Sequence, residues 1–124
     1  MNVKKLKKSI EVLKEDLDGA LIATDIWPTG TGQSIADYNS NPQATALFER
    51  VTDYIKKSLT GAGFPNLNKY YMLDLEGGAL VLVLQFETGY QWGMLVDGTK
   101  VQLGLLLNIA IPNARKAFLE AIEE

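Results

Sequence analysis

The acidic residues Asp74 and Glu76 have the spacing of a carboxylate pair that could do chemistry. Alternate residues of a strand point to one face, as general acid–base catalysis or oxygen ligation of magnesium or calcium requires. However, Gly77 and Gly78 follow the pair directly, and acids beside such a turn commonly serve to keep it soluble. We therefore predict a structural role for both carboxylates, with no metal site and no catalytic site.

Four aromatic residues form the second candidate group, namely Tyr70, Tyr71, Tyr90 and Trp92. Rings of this kind can stack on nucleic-acid bases or on the ring of a ligand. Aromatic side chains in strands more commonly pack in a core or a dimer interface. We therefore predict packing roles for these four rings.

The chain contains no histidine and no cysteine. It therefore has no Ser-His or Cys-His nucleophile, no imidazole-ligated metal, no zinc ribbon and no disulfide framework. The segment Gly30-Thr31-Gly32 lacks the later glycine and lysine of a phosphate-binding loop, so we interpret it as a hairpin turn. These observations predict a protein without autonomous catalysis and without a cofactor.

The size and net charge of the chain narrow the possible classes of protein further. The 124 residues are 47% hydrophobic, which fits one compact domain over residues 1–124. A net charge of −3 lacks the basic excess of a nucleic-acid-binding module. No signal-like segment opens the sequence, and no apolar stretch approaches the roughly 20 residues of a membrane span. We expect a cytoplasmic protein that does not insert into a membrane.

The elements that position these residues follow from the hydrophobic pattern. It predicts a helix over 2–16, strands over 20–27 and 33–38, and a middle helix from Pro42 to about Thr60, with Asn41 as its cap. Apolar residues of the middle helix cover an arc of about 140°, wider than one sheet contact requires. They are Ala44, Leu47, Phe48, Val51, Tyr54, Ile55 and Leu59.

The second half of the chain predicts an antiparallel meander of strands over 69–75, 79–86 and 90–96. The strand over 79–86 is apolar on both faces, so we expect it to be central and covered by helices on both sides. The segment over 99–124 predicts one helix, kinked near Pro112. The residues predicted to face the sheet are Leu103, Leu107, Ala110, Ala114 and Phe118.

The predicted fold class is α/β, a single-domain α-β-α sandwich on a five-stranded antiparallel sheet. Its element order, helix-strand-strand-helix-strand-strand-strand-helix, resembles that of the roadblock/dynein light chain family in the profilin-like, longin-like group. The local patterns at 17–22, 75–81 and 103–107 also resemble that family. The long first hairpin and Pro112 depart from the family pattern.

The resemblance implies a function without catalysis. Roadblock-family proteins form homodimers by joining the edge strand after the middle helix and packing the two middle helices together. Many are regulatory or scaffolding partners of Ras-like small GTPases. For this chain the resemblance and the wide apolar arc place Leu47, Phe48, Val51, Tyr71 and Leu73 at a dimer interface. We expect a homodimeric adaptor or GTPase-regulating module.

A second apolar stripe on the last helix is formed by Val101, Leu105 and Ile109. Such a stripe either packs against the first helix or docks a partner helix or a GTPase switch region. The sequence leaves both possibilities open.

A small-ligand sensor is the alternative function. Related α/β sandwiches hold a pocket between sheet and helix, which Trp27, Trp92 and Met94 would line in this chain.

Overall fold

The computed structural model describes residues 1–123, so Glu124 at the end of the last predicted segment lies outside the described residues. Three helical regions and five strands follow the predicted order, and the predicted fold class is confirmed. The elements are α1 (Val3–Leu17), β1 (Leu21–Pro28), β2 (Ala36–Tyr38), α2 (Pro42–Gly61), β3 (Tyr70–Asp74), β4 (Ala79–Phe86), β5 (Tyr90–Asp97), α3 (Leu103–Leu105), a π-helical turn (Leu106–Ala110) and α4 (Ile111–Ile122).

The sheet is antiparallel throughout and has the order β2-β1-β5-β4-β3. The strand β4, predicted to be a central strand, is interior, since it pairs with both β3 and β5. The middle strand of the five is β5. The strand predicted over 33–38 begins only at Ala36. The reason is local, since Thr31 Oγ1 accepts from the Gln33 amide at 3.1 Å and holds the preceding residues in a turn.

The main core lies between the sheet and the layer formed by α1 and α4. Leu6, Ile10 and Leu13 recur along α1 at helical spacing and are buried. From α4, Phe118 is fully buried, and its ring centroid lies 4.0 Å from that of Phe86 on the sheet. Burial of this periodic stripe holds the layer on the sheet. No helix among residues 1–123 is long and apolar enough to cross a membrane.

A smaller cluster covers the opposite face of the sheet, beneath α2. Trp27, Val81 and Val83 are buried there, with Phe48 of α2 packed against them. Gly93 makes room for the indole, since a Cβ at this position would lie 3.0 Å from two ring atoms of Trp27. Helices therefore cover both faces of the sheet, as predicted from the apolar strand β4.

The last helix continues past the proline, as predicted, but changes its hydrogen-bond register before it. The Ile111 amide donates to the Leu106 carbonyl, five residues back, which forms the π-helical turn. Pro112 follows immediately and has no amide to donate. The widened turn rotates the helix face, so Leu106 is buried while Leu103 is 49% exposed. The prediction that Leu103 faces the sheet is therefore wrong.

Candidate functional site

Helix α2 is attached to the sheet through a carboxylate. Glu49 Oε2 accepts from Trp27 Nε1 at 3.0 Å and from Gln91 Nε2 at 2.9 Å. Its other oxygen accepts from the Gly30 amide in the first hairpin. Trp27 and Gln91 are each 1% exposed, so water cannot replace Glu49 as their acceptor. Glu49 thus connects the helix, two strands and the hairpin.

A second polar contact ties α2 to the edge strand β3. Thr52 Oγ1 donates to the Phe48 carbonyl at 2.7 Å and lies 2.8 Å from the Tyr71 hydroxyl. Because Thr52 has one hydroxyl proton, the Tyr71 hydroxyl acts as the donor to Thr52. Burial is the main cause that raises the pKa of the Tyr71 phenol above its usual value, and the negative charge of Glu49 raises that pKa further.

The polar row that faces the sheet consists of Thr45, Glu49 and Thr52, at positions i, i+4 and i+7 of α2. Thr45 and Thr52 are the buried residues of this helix. The sequence analysis missed this row, although its helical spacing is a readable signal. The apolar arc of α2 is consequently turned to the side, and Leu47 is 44% and Tyr54 75% exposed.

The edge strand β3 contributes the other half of this surface. It pairs with β4 along one side only and forms an end of the sheet. Tyr71 and Leu73 are half-buried beneath α2, whereas Tyr70 on the opposite face is 40% exposed. An edge strand presents unpaired backbone groups that can accept a further strand.

The structure places all five residues of the predicted dimer interface on this side of the sheet. Phe48, Tyr71 and Leu73 pack around the small cluster, while Val51 is half-buried and Leu47 is exposed on α2. We call the surface formed by α2 and β3 the α2–β3 surface.

The predicted stripe on the last helix is only partly present. Val101 precedes the helix and packs half-buried against the main core, so it does not continue a row with the other two residues. Leu105 is 37% and Ile109 49% exposed. These two side chains are therefore not buried against α1 and remain accessible in the protomer.

The carboxylates Asp74 and Glu76 are exposed, at the end of β3 and in the following turn. No group of three metal-ligating acidic side chains occurs among residues 1–123. Trp92 is fully buried and donates to Thr24 Oγ1 at 2.7 Å. Tyr90 packs edge-on to a core phenylalanine.

Comparison with known proteins identifies the fold. No protein-family model and no curated protein matches the sequence. Among solved structures, MglB of Myxococcus xanthus superposes with a TM-score of 0.81 at 12% identity, over 98% of this chain and 90% of that one. An MglB with a tetrameric arrangement gives 0.74 at 13% identity, over 96% and 91%. A roadblock/LC7 domain from Streptomyces avermitilis gives 0.60 at 9% identity, over 90% and 96%. The chain has the roadblock/LC7 fold.

The roadblock/LC7 fold confirms the resemblance found in the sequence. It accounts for the order of helices and strands and for the α2 layer that stands alone on one face of the sheet. Within this fold the α2–β3 surface combines an uncovered apolar helix flank with an open sheet edge.

Proposed function

We propose that this chain, as a single roadblock-like domain over residues 1–124, is a non-enzymatic homodimeric adaptor or regulatory module in the cytoplasm. Its partner is a Ras-like small GTPase. The observation that carries the proposal is the uncovered apolar flank of the α2–β3 surface.

The orientation of α2 supports the dimer. The polar row of α2 faces the sheet, and the apolar arc is centred about 110° around the helix from that row. An arc in that position points along the sheet toward a neighbour and not into the protomer's own core. A second α2 related by a two-fold axis would bury Leu47, Val51 and Tyr54 against their equivalents.

The sheet edge and the total surface agree with this arrangement. Two β3 strands paired across the axis would satisfy the backbone groups that the edge leaves open. The protein exposes 7171 Å², whereas a monomeric protein of 13.7 kDa typically exposes about 6,600 Å². The excess surface is of the size that a small interface buries on one partner.

The role toward a GTPase rests on the roadblock resemblance together with the exposed pair Leu105 and Ile109. Contiguous apolar side chains on a surface helix commonly mark a docking site for another protein. The tetrameric arrangement of one MglB with this fold agrees with an assembly-forming module. The absence of His and Cys from the sequence favours a binding role over catalysis.

Sedimentation tests the dimer. We expect the protein to sediment as a dimer at micromolar concentration and Leu47→Glu to sediment as a monomer, because two glutamates would be buried at the axis. Val3→Glu is the matched control, since Val3 is 54% exposed on α1 in the opposite layer. A wild-type protein that remains monomeric at micromolar concentration would refute the dimer.

Affinity capture tests the partner. Tagged protein from its native cells should retain a Ras-like GTPase, and the purified pair should bind with different affinities in the GDP and GTP-analogue states. The purified protein alone should hydrolyse neither GTP, ATP nor simple esters. Activity that survives repurification and disappears in Asp74→Asn would contradict the non-enzymatic role.

A further inference from the structure

A cavity of about 440 Å³ lies between the sheet and the first turns of α2, and it shares Phe48 with the α2–β3 surface. Its walls include the rings of Trp27 and Phe48, and its floor includes Gly93 and Leu95. The absence of a side chain at Gly93 lets the Trp27 indole lie directly over the sheet at this point. The volume falls within the range of small-molecule binding sites, and the lining is mainly apolar.

The cavity also contains a buried carboxylate. Asp25 on β1 is 6% exposed and accepts one hydrogen bond, from Ser40 Oγ at 2.5 Å. Within the described part of the chain no lysine or arginine forms an ion pair with Asp25. Its direct cross-strand neighbour on β2 is Asp37, an exposed carboxylate that supplies no positive charge to Asp25. A carboxylate buried without a cation is costly, and a bound cation would remove that cost.

Several other polar groups around the cavity have partners within the protein. Thr45 Oγ1 donates to the Pro42 carbonyl at 3.0 Å, and Asn41 Oδ1 accepts from the Gln43 amide at 3.0 Å. Asn39 Nδ2 donates to a backbone carbonyl of β1. The Ala44 and Thr45 amides donate to the Asn41 carbonyl, so the first-turn amides of α2 are not free to bind an anion. The cavity therefore offers one carboxylate without a cationic partner, surrounded by mainly apolar walls.

We propose that this cavity binds a small organic cation, a protonated primary or secondary amine carried on an apolar ring. The ammonium group donates to the Asp25 carboxylate, and the ring packs between Trp27 and Phe48. Aromatic faces attract cations as well as apolar groups, so the walls and the carboxylate favour the same ligand. This ligand site is additional to the adaptor role proposed above.

Three phenylalkyl probes of different charge test the proposal: 2-phenylethylamine, 2-phenylethanol, which has the same size, and the slightly larger 3-phenylpropionate. Calorimetry should show that the amine binds about tenfold or more tightly than the alcohol, because a hydrogen bond to a charged partner contributes more than a neutral one. The propionate should not bind. Equal affinity for amine and alcohol, binding of the anion, or no binding of the amine at millimolar concentration would each overturn the proposal. Displacement of the amine by calcium chloride would overturn it in favour of a metal site.

Substitutions test whether the preference for the amine arises in this cavity. Asp25→Asn should remove the preference for the amine over the alcohol, whereas Asp18→Asn, the same change at an exposed helix end, should preserve it. Leu75 lines the cavity and is 41% exposed, so a tryptophan at this position should fill the cavity mouth without unfolding the protein. Leu75→Trp should therefore weaken the binding of both the amine and the alcohol at least tenfold. If Asp25→Asn does not fold, the three probes and Leu75→Trp still show whether the amine binds in this cavity. Unchanged amine binding in Leu75→Trp would place the site elsewhere.

Discussion

Replacing Glu49 by alanine removes the carboxylate that connects α2 to the sheet. The substitution truncates one side chain on the helix and leaves its backbone intact, since alanine is the best helix former. Three donors lose their acceptor, namely Trp27 Nε1, Gln91 Nε2 and the Gly30 amide. The consequences differ, because the first two donors are buried and the third is accessible to water.

The magnitude follows from the two buried donors. A buried donor without an acceptor costs roughly 1–3 kcal/mol, so the pair lowers the free energy of unfolding by about 2–6 kcal/mol. Water replaces the bond to Gly30, which therefore adds little. Glu49→Gln retains one acceptor oxygen and should lose less, about 1–2 kcal/mol. Domains of this size have a total stability of about 5–15 kcal/mol, so both losses are large enough to measure.

Urea unfolding at one fixed protein concentration measures these changes, because any dimer dissociates on dilution. Far-ultraviolet circular dichroism follows the helices, and fluorescence follows the two tryptophans. Glu120→Ala, an exposed position on α4, is the matched control and should change stability by no more than about 0.5 kcal/mol. If Glu49→Ala is no less stable than this control, the carboxylate does not secure α2.

Further predictions concern packing, pH and docking. Gly93→Ala should destabilise the protein by about 1–3 kcal/mol in urea unfolding, because the added Cβ meets the Trp27 indole ring. Gly104→Ala should stabilise the protein by about 0.5–1 kcal/mol, because this helical glycine has open space around it. Burial raises the pKa of Tyr71, so its stabilising contribution is complete below the ordinary tyrosine pKa near 10 and is lost as pH rises above it. The free energy of unfolding, measured on both sides of about pH 10, should therefore depend less on pH in Tyr71→Phe than in the wild-type protein. An identical pH dependence in the two proteins would contradict the raised pKa of Tyr71. A double replacement of Leu105 and Ile109 by glutamate should leave the melting curve unchanged and abolish GTPase capture, since both side chains are exposed, and unfolding of this variant would reject the docking role.

The boundaries of several elements were predictable because the residues that set them act locally. Asn41 accepts from the Gln43 amide at the start of α2, as its position before Pro42 predicts. The continuous run of apolar residues over 79–84 correctly predicted a strand covered on both faces. Signals of this kind lie within a few residues of the structure that they specify.

The last helix and the sheet order were less predictable because distant contacts decide them. Leu103 and Leu107 continue a helical row in the sequence, but the π-helical turn before Pro112 shifts the register, and Leu106 becomes the buried residue. Likewise, nothing in the apolar composition of β4 indicates that β5 takes the centre. That order depends on which strand pairs with β1, a contact between residues far apart in the sequence.

For the candidate site, the sequence by itself determined that the middle helix has more apolar surface than one sheet contact needs, because helical geometry fixes the angular spread of its side chains. It also determined that no imidazole or thiol chemistry is available. Only the tertiary structure decided which way that apolar surface faces. Glu49 and Thr52 find their donors on β1, β5 and β3, and these long-range bonds turn the polar row toward the sheet and the apolar flank outward. The rotation of a helix about its axis is set by the partners that its polar groups find, and those partners exist only once the strands have assembled.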